Sequence, residues 1–151
     1  MPTHENINQP TTTPPTSTNP NRDHPFADAP IIFRYTRRMA IDDGVLIDAT
    51  LGDFADVSSQ HFPLHHLAMT STVFEIVKAG VDAGKGADFA GIWHDILWMA
   101  RTCPMAWVSG GQTFRVSIQA LPRSRWHELK ILFHGGDQGE PCATVMLPLE
   151  D

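Results

Sequence analysis

The stretch Ala87 to Thr102, ADFAGIWHDILWMART, constrains the fold more than any other part of the chain. Phe89, Ile92, Trp93, Ile96, Leu97 and Ala100 recur at i, i+3, i+4, i+7, i+8 and i+11, the apolar stripe of a helix packed on a core. Trp98 and Met99 widen that stripe, and after Asp88 the only strongly polar positions are His94, Asp95 and Arg101. The spacing therefore predicts a central helix covered on several sides. Asp88 is placed to accept from the free amides of the first turn, and Pro104 marks the stop.

Around this helix the chain divides unevenly. Residues 1–30 hold seven Pro and six Thr, with Met1, Ile7 and Phe26 as their only large apolar side chains. Such a segment buries too little to offset its chain entropy, so a disordered tail is expected, followed by one α+β domain over residues 31–151. IIFRYT suits a short strand or extended lead-in. Thr36 is placed to cap a short helix from Arg37 to Asp43, with Gly44 as its stop and VLID extended after it. A second short helix is expected from Thr50 or Asp53 through Val57, and QHFPLHHLAM reads as a connection broken by Pro63. Thr72 and Glu75 have the spacing of a capping box for a helix with Val73, Phe74, Val77 and Val81 on its buried face.

Beyond Pro104 the period changes to two. Phe114, Val116 and Ile118 alternate with Arg115, Ser117 and Gln119; Leu129, Ile131 and Phe133 lie on one face of a second segment; Ala143, Val145 and Leu147 alternate in a third. Turns at Pro122 to Arg125 and Gly135 to Gly139 join them. The expectation is N-terminal short helices and a buried central helix packed on a C-terminal three-stranded antiparallel meander.

The formal net charge of -6 argues against a general nucleic-acid binder, which needs surplus Lys and Arg to neutralise phosphates. Acids cluster: Asp42, Asp43, Asp48, Asp53 and Asp56 fall in fifteen residues without Lys or Arg, just after Arg34, Arg37 and Arg38. They are the candidate partner-binding residues, suited to a basic protein surface. Cys103 and Cys142 are too few and too far apart for a disulfide framework. No apolar run approaches a membrane span and the N-terminus lacks a signal h-region, so no membrane association and a cytoplasmic setting are expected.

Catalytic signals are weak. His61, His65 and His66 form an H-x3-H-H cluster, a weak zinc candidate interrupted by Pro63 and without nearby acidic or thiol ligands. His94–Asp95 and His127–Glu128 are adjacent pairs that point to different faces. Gly80, Gly84, Lys85 and Gly86 fall one residue short of a phosphate-binding loop, and Gly86 stands where a magnesium-binding hydroxyl belongs. No nucleophile elbow or Ser, His and acid series stands out. Tyr35, Arg37, Trp93 and Trp98 are the alternative ligand-binding set, for a small-molecule pocket between sheet and central helix. No cofactor is implied.

YTRRMAIDDGVLID (Tyr35 to Asp48), WHDILWMAR (Trp93 to Arg101) and GDQGEPCATVMLPLED (Gly136 to Asp151) together resemble an uncharacterised family of small proteins of plasmids, integrative elements and phages. Its members carry YTRxQAIxDGVLxD, WDVLWM and GDxGEPxxTxMLPxED. The resemblance spans nearly all of the chain after residue 31. This chain departs by inserting His94 between Trp93 and Asp95 and by having Arg38-Met39 where Ala-Gln is usual. The family has no activity to carry over. The resemblance implies a mobile-element setting, and hence a non-enzymatic accessory protein that binds and inhibits a host or element-encoded protein. A nucleic-acid-handling defence complex of restriction or CRISPR type is the expected target. A small-ligand binder is the alternative, and a metal-dependent hydrolase using the histidine cluster is the third reading. An exposed meander edge would permit a dimer, but nothing selects one.

Overall fold

A computed structural model describes residues 34–118 and 125–151 of the chain. The expected N-terminal tail, the strand lead-in at Ile31 to Phe33 and the turn at Pro122 to Ser124 lie outside the described residues. All the elements lie within the unit Tyr35–Asp151.

In chain order they are α1 (Arg37–Asp42), β1 (Leu46–Asp48), a 3-10 turn (Gly52–Phe54), α2 (Ala55–His61), β2 (His66–Thr70), α3 (Ser71–Asp82), α4 (Phe89–Thr102), β3 (Trp107–Val108), β4 (Gly111–Ile118), β5 (Arg125–Gly135) and β6 (Pro141–Met146). The strands form one six-stranded sheet in the order β1-β2-β6-β5-β4-β3. The β2–β6 pair is parallel and every other pair is antiparallel. The three-stranded meander is thus corrected to a six-stranded mixed sheet with four helices. β4, β5 and β6 do follow one another antiparallel, but β2 enters the sheet beside β6 and carries β1 with it, while β3 extends the opposite edge.

β2 escapes a periodicity reading for a physical reason. A strand next to a parallel neighbour and covered on both faces has no polar side to alternate with its apolar one. Leu67, Ala68 and Met69 are all fully buried, so HLAMT presents a run instead of an alternation. β2 also passes straight into α3. Thr70 closes the strand and caps the helix, its hydroxyl accepting from the Val73 amide, so the expected Thr72–Glu75 box is not the cap.

One face of the sheet carries Leu67, Met69, Phe114, Val116, Leu129, Ile131, Ala143 and Val145 into the core, closed by Val73 and Val77 of α3 and Ile92, Trp93, Ile96 and Leu97 of α4. The α4 N-terminus is fixed by Asp88, whose Oδ1 accepts from the Gly91 amide at 2.6 Å. Cover over α4 is one-sided, however. Trp98 is 52% exposed, so the helix is packed along one stripe and solvated along another. Among the described residues no helix is long and apolar enough to cross a membrane.

Candidate functional site: a charged cleft on the outer sheet face

Strand alternation sends the other side chains of the sheet to its outer face. The register there aligns His66 of β2, Cys142 of β6 and His134 of β5 in one row, and Ala68, Thr144 and Leu132 in the next. Helix α1 lies over these rows and is tied to them by residues about a hundred positions away. Asp137, in the β5–β6 turn, accepts from the Arg37 amide through Oδ1 and from the Arg38 amide through Oδ2, both at 2.9 Å. Thr36 accepts from the Met39 amide. The first amides of a short helix, which have no partners inside it, are therefore satisfied from outside.

The Arg37 guanidinium donates to Thr144 Oγ1 at 3.1 Å and to the His66 carbonyl at 3.0 Å. Thr144 Oγ1 is also 2.9 Å from His134 Nε2, and His134 Nδ1 is 3.0 Å from the Gly135 carbonyl. A carbonyl only accepts, so Nδ1 carries the proton and donates to it. Nε2 is then an acceptor, taking the Thr144 hydroxyl proton, while Thr144 accepts from Arg37. The relay joins the guanidinium to β2 through the His66 carbonyl and to β6 and β5 through Thr144 and His134.

Between α1 and the β5–β6 turn lies a cleft of about 630 Å³ lined by Arg37, Arg38, Ile41, Asp48, His66, Asp137, Gln138 and Glu140. Glu140 Oε2 accepts from the Gln138 amide. Its own amide and that of Gln138 hold the Glu140 carboxyl below the usual range; burial and Asp137 oppose them, and His66 adds to the lowering. Burial pushes the Cys142 thiol up, with Arg37 opposing and Glu140 and Asp137 reinforcing. At neutral pH Cys142 is therefore a thiol, not the thiolate a nucleophile requires. The cleft offers fixed charges of both signs. It is equipped to recognise a partner by ion pairing and hydrogen bonding.

The five candidate acids do not form one surface. Asp42 pairs with Arg38 Nε at 3.4 Å, Asp43 accepts from the Tyr35 hydroxyl at 2.9 Å, and Asp48 accepts from Thr50 and lines the cleft. The Asp43 carboxylate also raises the Tyr35 pKa, through that hydrogen bond first. Asp53, in the 3-10 turn, and Asp56, in the first turn of α2, are exposed, and both elements pack on α4 at the opposite face of the sheet.

The alternative ligand-binding quartet is likewise divided. Tyr35 and Arg37 belong to the outer face, Trp93 is fully buried in the core with its indole N–H donating to Ser58 Oγ at 2.8 Å, and Trp98 is on the solvated side of α4. The histidine cluster separates too. His61 turns inward against His94, His65 packs on Phe62 and Phe133, and His66 faces the cleft. Among the described residues no three His, Cys, Asp or Glu side chains are grouped to hold a metal ion.

Asp137 and Glu140 stand out in the sequence only as members of a second acidic cluster, with Glu150 and Asp151, and Thr144 and His134 do not stand out at all. Thr144, polar between Ala143 and Val145, is the available sign that β6 has a second face with polar contacts. Replacing Asp137 by alanine is expected to cost about 1 kcal/mol, the usual value of a helix cap. It should lower hydrogen-exchange protection in α1 while leaving β5 and β6 unchanged. Unchanged α1 protection would show that the turn does not anchor the helix.

Comparison with models of known families, with curated proteins and with solved structures finds no match.

Proposed function

We propose that this chain is a non-enzymatic accessory protein of a mobile genetic element that binds and inhibits a host protein, and that the outer-face cleft holds that partner. The target class is a nucleic-acid-handling defence complex of restriction or CRISPR type. One observation carries the reading. Of the eight residues lining the cleft, Arg37, Arg38, Ile41 and Asp48 come from the first stretch of the mobile-element resemblance and Asp137, Gln138 and Glu140 from the last. Segments about a hundred residues apart thus supply seven of eight positions. Asp137, Glu140 and Asp48 are held by backbone amides and Arg37 by its relay, so little of their ordering entropy is lost on binding. The partner is expected to present polar and charged groups of both signs.

Recovery of the tagged chain from its host cells under native conditions, followed by mass spectrometry, tests this. Arg38→Glu combined with Gln138→Arg changes the cleft without touching the relay, and should reduce the recovered partner by about tenfold or more, the scale of one disrupted interfacial ion pair. Asp53→Lys with Asp56→Lys should leave recovery unchanged. The opposite pattern would move the partner to the α2 face, and a chain that recovers no protein would refute the inhibitor reading.

A further inference from the structure

His61 ends α2 and is buried, with 6% of its surface exposed, and neither ring nitrogen has a hydrogen-bond partner. This is unusual, because a buried polar atom without a partner costs about 1–3 kcal/mol. The ring lies edge-on to His94 with centroids 4.8 Å apart and edge-on to Trp98 at 6.3 Å, while His94 stacks on Trp98 with a 10° interplanar angle. The pocket is therefore two imidazoles against one indole.

We propose that the C-terminal end of α2 is an acid-released latch: His61 is held between His94 and Trp98 as the neutral ring and leaves this pocket when it takes up a proton.

The surroundings offer an imidazolium no compensation. From α4 the groups facing His61 are His94 and Arg101, both of which oppose a positive charge there. Asp95 lies 3.6 Å from His94 Nδ1 and is exposed, so its charge is directed to His94. The 3-10 turn contributes Phe54 to the core. The α2–β2 connection carries His65, which is turned to Phe62 and Phe133, and β5 presents Phe133. Burial first, then His94 and Arg101, hold the His61 pKa below its ordinary 6.5. Below that value the released ring binds a proton that the held ring does not, so release becomes more favourable as pH falls. What it uncovers is aromatic: the parts of His94 and Trp98 that His61 packs against, and Phe62 where it meets Phe133. The device lies across the sheet from the cleft and does not depend on that site's function.

Amide exchange of the full chain at about pH 7.5 and about pH 5.5, corrected for intrinsic rates, tests the latch. Protection of Ala55–His61 is expected to fall by about tenfold per pH unit below ~6.5, the factor for uptake of one proton. β6 and α3 should keep theirs. In His61→Phe the α2 protection should not depend on pH, and in His94→Gln the loss should shrink, because one opposing charge is gone. If His61→Phe does not fold, His61→Gln makes the same comparison. Protection that is independent of pH in the natural chain, or lost equally in these variants, overturns the latch. So does a loss shared with β6, which would report global unfolding.

Discussion

Trp93→Ala is expected to lower stability by about 3–5 kcal/mol, the cost of deleting a fully buried large aromatic side chain. In a domain with ~5–15 kcal/mol in total, that brings the chain close to unfolding at room temperature. The estimate rests on three separate losses. Trp93 is completely buried and meets Phe54 edge-on, with centroids 5.9 Å apart. Phe54 in turn meets Phe74 and Phe89, so the cavity would open at the junction of the 3-10 turn, α3 and α4. The indole N–H also donates to Ser58 Oγ, and Ser58 donates to the Ala49 carbonyl at 2.6 Å. Removing the indole leaves Ser58 with one bond in place of two. Ser58→Ala isolates the polar part: it keeps the ring but leaves both the indole N–H and the Ala49 carbonyl unpartnered, for about 1–3 kcal/mol. Urea unfolding followed by near-ultraviolet circular dichroism measures both. A shift in midpoint at constant slope is the expected form; a Trp93→Ala midpoint near that of the natural chain would mean that this core does not carry the fold.

What was legible in the sequence follows from which contacts are local. α4 could be read because its stripe, its Asp88 cap and the proline after it lie within eighteen residues. Thr36 at the start of α1 and the alternation in β4, β5 and β6 are of the same kind. β2 could not be read, because burial on both faces erases the period. His61 reads as part of a connection for a related reason. Pro63 breaks the helix two residues later, but α2 continues through His61, which puts that ring three positions from Ser58 on the side facing α4. The cleft was legible only in fragments. Arg37, Asp48 and His66 were each singled out, but for a ligand pocket, an acidic surface and a metal site. Their common location depends on Asp137 reaching α1 across 100 positions and Thr144 meeting Arg37 across 107. No local period reports contacts of that range.

Glu150→Ala is expected to be more damaging than Lys130→Met, although the lysine is the more deeply buried of the pair. Lys130 is fully buried, and its Nζ donates to the Glu150 carbonyl at 2.7 Å. Its stem packs over Gly111, where an added Cβ would stand 2.5 Å from Lys130 Cγ, so β4 can carry no larger residue at that point. The Glu150 carboxylate accepts from the Leu147 amide at 2.7 Å and from the Thr70 hydroxyl at 2.9 Å. Burial raises the Glu150 pKa, but the Leu147 amide, the Thr72 and Thr70 hydroxyls and the Lys130 charge outweigh it, and the net shift is downward. Truncating Glu150 leaves the Leu147 amide and the Thr70 and Thr72 hydroxyls without their acceptor and withdraws a nearby negative charge from the Lys130 ammonium, whose bond to the residue 150 carbonyl remains, at roughly 1–3 kcal/mol. Lys130→Met removes the charge together with its desolvation cost and keeps the volume of the stem, so a loss below about 1.5 kcal/mol is expected. The double variant should then be more stable than Glu150→Ala alone, because the buried charge that no longer has a carboxylate nearby is gone. The pH dependence has a defined sign. A carboxyl with a lowered folded pKa contributes fully above its ordinary value of 4.5 and loses that contribution as pH falls through the folded value. The gap between the natural chain and Glu150→Ala should therefore close in acid, while the gap to Lys130→Met should narrow or reverse. Chemical unfolding of the four chains at neutral and acid pH decides the matter: equal losses from Lys130→Met and Glu150→Ala would mean that the pair contributes packing and not charge.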